Sequence, residues 1–145
     1  MAIKGLNSVK LMLQKKSKTY RNGIREVVRD TGLDIEFRAK MNAPPMIDGL
    51  INGKIVSNKN GYGFAILVNS MPGPPMMRNM PVYLEFGTGL NAGYYVNMLP
   101  KEWQDAARKY YINGKGKTRV HSYLFPAWIS FTPLFVDKVR AVLKR

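Results

Sequence analysis

Pro81-Val82-Tyr83-Leu84-Glu85-Phe86-Gly87-Thr88-Gly89 places one carboxylate, Glu85, among four apolar side chains, Val82, Tyr83, Leu84 and Phe86. A lone acid in such a run is costly to bury unless it is paired or hydrogen-bonded. Gly87 and Gly89 permit a tight turn with positive φ, and the hydroxyl of Thr88 can bond nearby backbone. Three arrangements fit the residues. Glu85 accepts hydrogen bonds from the turn, pairs with a basic residue, or lies on the solvent side of an ordinary element. The element itself reads as a short strand or as a helical turn with Asn79 as its cap and Pro81 near its start.

Working outward, residues 4 to about 30 read as one helix, because Leu6, Val9, Leu13, Tyr20, Ile24 and Val27 recur at spacings of three, four and seven. Gly32 suits the position just past its end. Leu33, Ile35, Phe37 and Ala39 then alternate with charged residues and predict a half-buried strand, stopped by Pro44-Pro45. Residues 50–57 and 62–69 predict a hairpin. Ile51, Gly53 and Ile55 share one face of the first strand, and Tyr62, Phe64, Ile66 and Val68 share one face of the second. Prolines 72, 74, 75 and 81 predict an irregular, mobile loop over 70–81, whose Met76 and Met77 suit adaptable packing against a partner.

Pro100 opens a predicted helix to about Tyr111, with Trp103, Ala106 or Ala107, and Tyr110 on its apolar face. Residues 113–119 form a mobile basic tip. Its Lys115, Lys117 and Arg119 are candidate contacts to DNA or a partner, with a solvated surface loop as the plain alternative. Thr132 and Pro133 predict the cap and first residue of a closing helix. Its apolar face (Trp128, Phe131, Phe135, Val139, Val142) would pack on the sheet. The sum is a single α+β domain over residues 1–145: a long N-terminal helix, a small antiparallel sheet with a hairpin, and a C-terminal helix.

The 145 residues suffice to bury a core, and 46 % hydrophobic content is ordinary for a globular chain. No apolar run has the length of a membrane span, and Met1-Ala2-Ile3-Lys4-Gly5 lacks a signal-peptide core. The absence of cysteine excludes disulfides and thiolate metal sites. The formal net charge is +14, from 23 Lys and Arg against 9 Asp and Glu. Such a surface attracts polyanions and repels copies of itself.

A second stretch, Tyr123-Leu124-Phe125-Pro126-Ala127-Trp128, precedes the closing helix. Tyr83-Leu84-Glu85-Phe86-Gly87-Thr88-Gly89, followed by Leu124-Phe125-Pro126-Ala127 and a terminal helix, resembles the small head-to-tail joining proteins of tailed bacteriophages. These are also called tail-completion or neck proteins. Ala43-Pro44 and Asp48-Gly49-Leu50 are a looser echo of the family's upstream pattern. The interval 90–122 is long for it.

The resemblance implies a virion protein made in the bacterial host cytoplasm, forming a homo-oligomeric ring, hexameric by expectation. The ring would lie at the head–tail junction, between the capsid connector or head-closure protein and the tail terminator or tail tube protein. Packaged DNA would be a non-specific neighbour, with no membrane and no cofactor. Tyr83, Glu85, Phe86, Gly87, Thr88, Gly89, Phe125, Pro126 and Ala127 carry over as fold-keeping residues. The neighbouring tail-terminator ring is an alternative within the same assembly.

Outside the resemblance, a nucleic-acid-binding protein accounts for the charge and for Tyr94, Tyr95, Tyr110 and Tyr111, since aromatics among basic residues can stack bases. No zinc-ligand, basic-zipper or recognition-helix pattern accompanies them. An enzyme has less support. A Ser–His–acid triad would depend on His121 beside Ser122, and Asp34 and Glu36 lack a third metal ligand in the sequence. No enzymatic activity is therefore expected.

Overall fold

The computed structural model describes residues 18–58, 61–108 and 116–144. Helix α1 spans Lys18–Asn42 and leads through a 3-10 turn, Asp48–Leu50, into an antiparallel hairpin of β1 (Ile51–Asn58) and β2 (Gly61–Val68). Four short helices follow: α2 (Pro75–Arg78), α3 (Met80–Phe86), α4 (Leu90–Met98) and α5 (Lys101–Arg108). Helix α6 (Leu124–Leu143) closes an α+β fold. The predicted helix start near residue 4, Tyr110 and Lys115 lie outside the described residues.

The long helix corrects the predicted strand. Residues 33–40 belong to α1, and the alternation of Leu33, Ile35, Phe37 and Ala39 does not set their faces. Besides Gly32, the buried positions are Ile24, Val28, Thr31, Ile35 and Ala39, at spacings of four, three, four and four. Leu33 and Phe37 face outward. The helical period thus runs unbroken through Gly32, which is not among the glycines with positive φ. Gly32 has a packing role instead. A Cβ there would overlap the Phe64 ring of β2, so the missing side chain lets the hairpin lie against the helix. Gly53 of β1 makes room for the same ring on its other side. The helix runs past its predicted end at Gly32 and stops at Asn42, where the prolines predicted to end the strand end the helix instead.

The hairpin has the predicted faces. Ile51 pairs with Val68, Gly53 with Ile66 and Ile55 with Phe64, so these side chains share one side of the sheet. Ile51 and Ile66 are fully buried, and Ile55, nearer the tip, is half exposed. Helix α1 lies across both strands and also carries α6, so α6 joins the sheet largely by way of α1. Gly23 faces Val142, where a Cβ would come within 2.8 Å of a Val142 methyl. Farther along α1, Asp34 meets Lys138 at 3.6 Å. The order of these contacts makes the two helices antiparallel.

The Pro/Met segment is also more regular than its prolines suggest. Pro75 is the first residue of α2 and Pro81 the second of α3. A helix leaves its first amide donors unbonded, so proline starts helices as readily as it breaks them. Met76 and Met77 are exposed on α2. In α6 the correction runs the other way. The helix starts at Leu124, eight residues before Thr132, and Pro133 lies inside it. The Thr132 hydroxyl donates back to the Trp128 carbonyl at 3.0 Å and caps nothing. Pro133 removes one bond of the ladder, at a cost of about 3 kcal/mol. The early start of α6 therefore needs a stabilising contact of its own.

Candidate functional site

That contact is Glu85. Its side chain is buried, and four donors converge on it. The Tyr123 and Leu124 amides donate to Oε2 at 2.8 and 2.9 Å. The Phe125 amide and the Ser122 hydroxyl donate to Oε1 at 2.9 and 2.7 Å. Every partner donates, so the group is bound as an acceptor-only carboxylate. Tyr123, Leu124 and Phe125 open α6, and the next residue, Pro126, has no amide proton. One side chain from α3, together with one proline, thus accounts for the orphan donors of the first turn of α6. The negative charge also lies at the positive end of the α6 dipole.

Other bonds hold the clamp in register. The Tyr95 hydroxyl of α4 donates to Ser122 Oγ at 2.7 Å, which leaves the Ser122 proton for Glu85. The Tyr123 hydroxyl donates to the Pro81 carbonyl at 3.1 Å. Burial pushes the Tyr95 phenol above its usual range, opposed by the Ser122 bond and reinforced by the Glu85 charge. The Tyr123 phenol is pushed up further, first by burial and then by Glu85.

The strap before α6 ties the end of α3. The His121 amide donates to the Leu84 carbonyl at 2.7 Å, and the Thr88 amide to the Thr118 carbonyl at 3.0 Å. The Thr118 amide answers to Thr88 Oγ1 at 2.9 Å. Gly87 (φ 76°, ψ −179°) and Gly89 (φ 58°, ψ −133°) turn the chain here in conformations that suit glycine. A Cβ on Gly87 would come within 2.8 Å of Val120. Apolar packing joins the same stretches. Trp103 of α5 meets Phe86 at 6.4 Å and Phe125 at 5.0 Å between ring centroids, both edge to face.

Of the expected site residues, Tyr83, Glu85, Phe86, Gly87, Thr88, Gly89, Phe125 and Ala127 gather in this unit, Phe125 partly exposed and the others buried. Pro126 is exposed and contributes through its backbone. Lys117 and Arg119 are exposed on the strap, and Met76 and Met77 are exposed on α2. Three of the polar partners read in the sequence in other roles: Tyr95 among aromatics able to stack bases, Ser122 as the neighbour of His121, and Tyr123 at the head of the Leu124–Ala127 stretch; Thr118 is not singled out there.

Among the described residues no helix is long and apolar enough to cross a membrane, and no three His, Asp or Glu converge as metal ligands. His121 Nε2 lies 3.2 Å from the Asn42 carbonyl, while the Ser122 hydroxyl is committed to Glu85. No protein-family model, curated protein or solved structure matches the chain.

Proposed function

We propose that this chain is a structural ring protein of a tailed bacteriophage, acting at the head–tail junction to join the capsid connector to the tail around the DNA channel. The observation that carries the reading is the clamp. The two stretches on which the family resemblance rests, 83–89 and 124–127, are 35 residues or more apart, yet one carboxylate joins them. The resemblance thus falls on a single structural unit whose work is to fix a helix. The function is positional: a rigid block presents its surfaces to neighbours on a preformed ring. The charge of +14 disfavours non-specific self-association and suits a wall beside packaged DNA.

Particle imaging and mass measurement of the purified protein, in low and high salt and with and without short duplex DNA, test this. Rings without DNA that persist at high salt are expected. A monomer that forms only salt-sensitive complexes with DNA overturns the reading in favour of a nucleic-acid binder.

A further inference from the structure

The fold brings together two basic runs from opposite ends of the sequence. Gly23 of α1 faces Val142 in the last turn of α6. Two residues along α1, the Arg25 guanidinium lies 5.3 Å from the centre of the Tyr62 ring, at the start of β2. The start of α1, the end of α6 and the hairpin tip therefore share one end of the molecule. Residues 1–25, which lead into and begin α1, and residues 138–145 carry eleven of the chain's 23 Lys and Arg and none of its nine acids. The hairpin strands add no acid. The acids next to these runs are Glu26, Asp30, Asp34 and Asp137. Three of them are occupied, Asp30 by Arg29, Asp34 by Lys138 and Asp137 by Arg140. With all four counted, residues 1–34 and 137–145 still hold twelve basic residues, leaving +8 of the net +14 on less than a third of the chain.

We propose that this end of the molecule, through Arg25 and Lys144, binds the phosphate backbone of duplex DNA without reading its sequence. Both side chains are exposed, and neither has a carboxylate partner among the described residues. Tyr62 points to phosphate rather than base as the target. Its half-buried ring already carries the Arg25 guanidinium, so it is engaged and not an open platform for a base. The stacking holds the guanidinium plane in place on an exposed side chain, and a pre-oriented guanidinium suits bidentate binding of phosphate oxygens. Contacts of this kind give affinity that is electrostatic and blind to sequence. The strap cations Lys117 and Arg119 belong to the other end of α1. There the His121 ring meets the carbonyl of Asn42, the last residue of the helix, about 25 Å along it from Arg25. The assignment follows from the charge and its placement, and it does not depend on the ring proposed above.

Fluorescence anisotropy of the full chain with labelled duplexes of about 20 base pairs, in two unrelated sequences and across a salt series, tests this. Two double variants remove the same charge from different places: Arg25→Gln/Lys144→Gln at the basic end and Lys117→Gln/Arg119→Gln on the strap. Tyr62→Leu keeps the charge and removes the ring beneath Arg25. Thermal melts check that each variant folds, and particle imaging without DNA runs alongside. The wild-type chain is expected to bind both duplexes equally. The Arg25/Lys144 variant should bind about tenfold more weakly, with the slope of log affinity against log salt reduced by about two. The strap variant should change much less in both respects. Tyr62→Leu should weaken binding about twofold with little change in slope. An equal or larger loss in the strap variant, a preference for one duplex, or no binding by the wild-type chain at low salt would each overturn the assignment. Rings seen in the imaging would leave the proposed function standing in all three cases. Binding through the basic end by a protein that forms no rings would keep the assignment and remove the ring.

Discussion

The contact between α1 and the hairpin and the clamp between α3 and α6 are built on different principles. The first is a matter of shape. Gly32 and Gly53 vacate the space that the Phe64 ring fills, and the surrounding groups are mostly apolar. The second is a matter of polar completeness. Around Glu85 each carboxylate oxygen takes two donors, and the first turn of α6 is satisfied by a residue 38 to 40 positions away. Shape complementarity fills volume and degrades gradually. A saturated buried carboxylate specifies one arrangement and fails steeply when a partner is removed.

Substitutions should separate the two. Glu85→Ala strands three backbone amides and is expected to destabilise the protein by at least about 3 kcal/mol in denaturant melts. Glu85→Gln should also destabilise, because its amide nitrogen must face donors on one side. A Glu85→Ala protein as stable as wild type would remove the contrast between the regions. Next in size is Gly87→Ala, which combines a positive φ with the Val120 contact and should cost about 2 kcal/mol.

The buried phenols give the clamp a pH signature. Tyr123 and Tyr95 hold their protons more tightly when folded, so their contribution is complete below the ordinary tyrosine value of 10.0. It is lost as pH rises above that value, because the unfolded chain ionises first. Tyr123→Phe should flatten this alkaline decline and cost about 1 kcal/mol at neutral pH through the lost Pro81 bond. An unchanged decline in both Tyr123→Phe and Tyr95→Phe would assign the alkaline sensitivity to other groups. On α1, Thr31→Val is expected to raise stability by up to about 1 kcal/mol, since it removes a buried hydroxyl with no partner among the described residues at nearly constant volume. The smallest effect belongs to Pro126→Ala, within about 0.5 kcal/mol. Its side chain is exposed, and the added amide meets a carboxylate already occupied by four donors.

The sequence made the two regions unequally legible. The hairpin was readable because its turn formers and the alternation of Tyr62, Phe64, Ile66 and Val68 are local. Residues 33–40 were misread because Leu33 and Phe37 supply a strand-like alternation, while the deciding pattern, Ile24 to Ala39, extends over a longer window. Gly32 looked like a terminus because glycine favours both helix ends and close contacts, and the neighbour that decides between them, Phe64, lies 32 residues away. Glu85 stood out as an acid in an apolar run, and acceptance of hydrogen bonds was among its expected fates. Its donors were not the adjacent turn but the start of α6. Nothing local to Leu124 announces that start, so Thr132-Pro133 offered a better cap by sequence and a wrong one in the fold.

Residue-resolved amide hydrogen exchange on the full chain reads out whether Glu85 holds the first turn of α6. The Tyr123, Leu124 and Phe125 amides should be protected to nearly the extent of Ile66 in the buried hairpin, and lose that protection in Glu85→Gln. The first-turn amides of α4, which has no side-chain cap, should exchange quickly in both proteins. Tyr123, Leu124 and Phe125 amides that exchange as fast as those of Leu90 and Asn91 in the wild-type chain would contradict the clamp and the reading built on it.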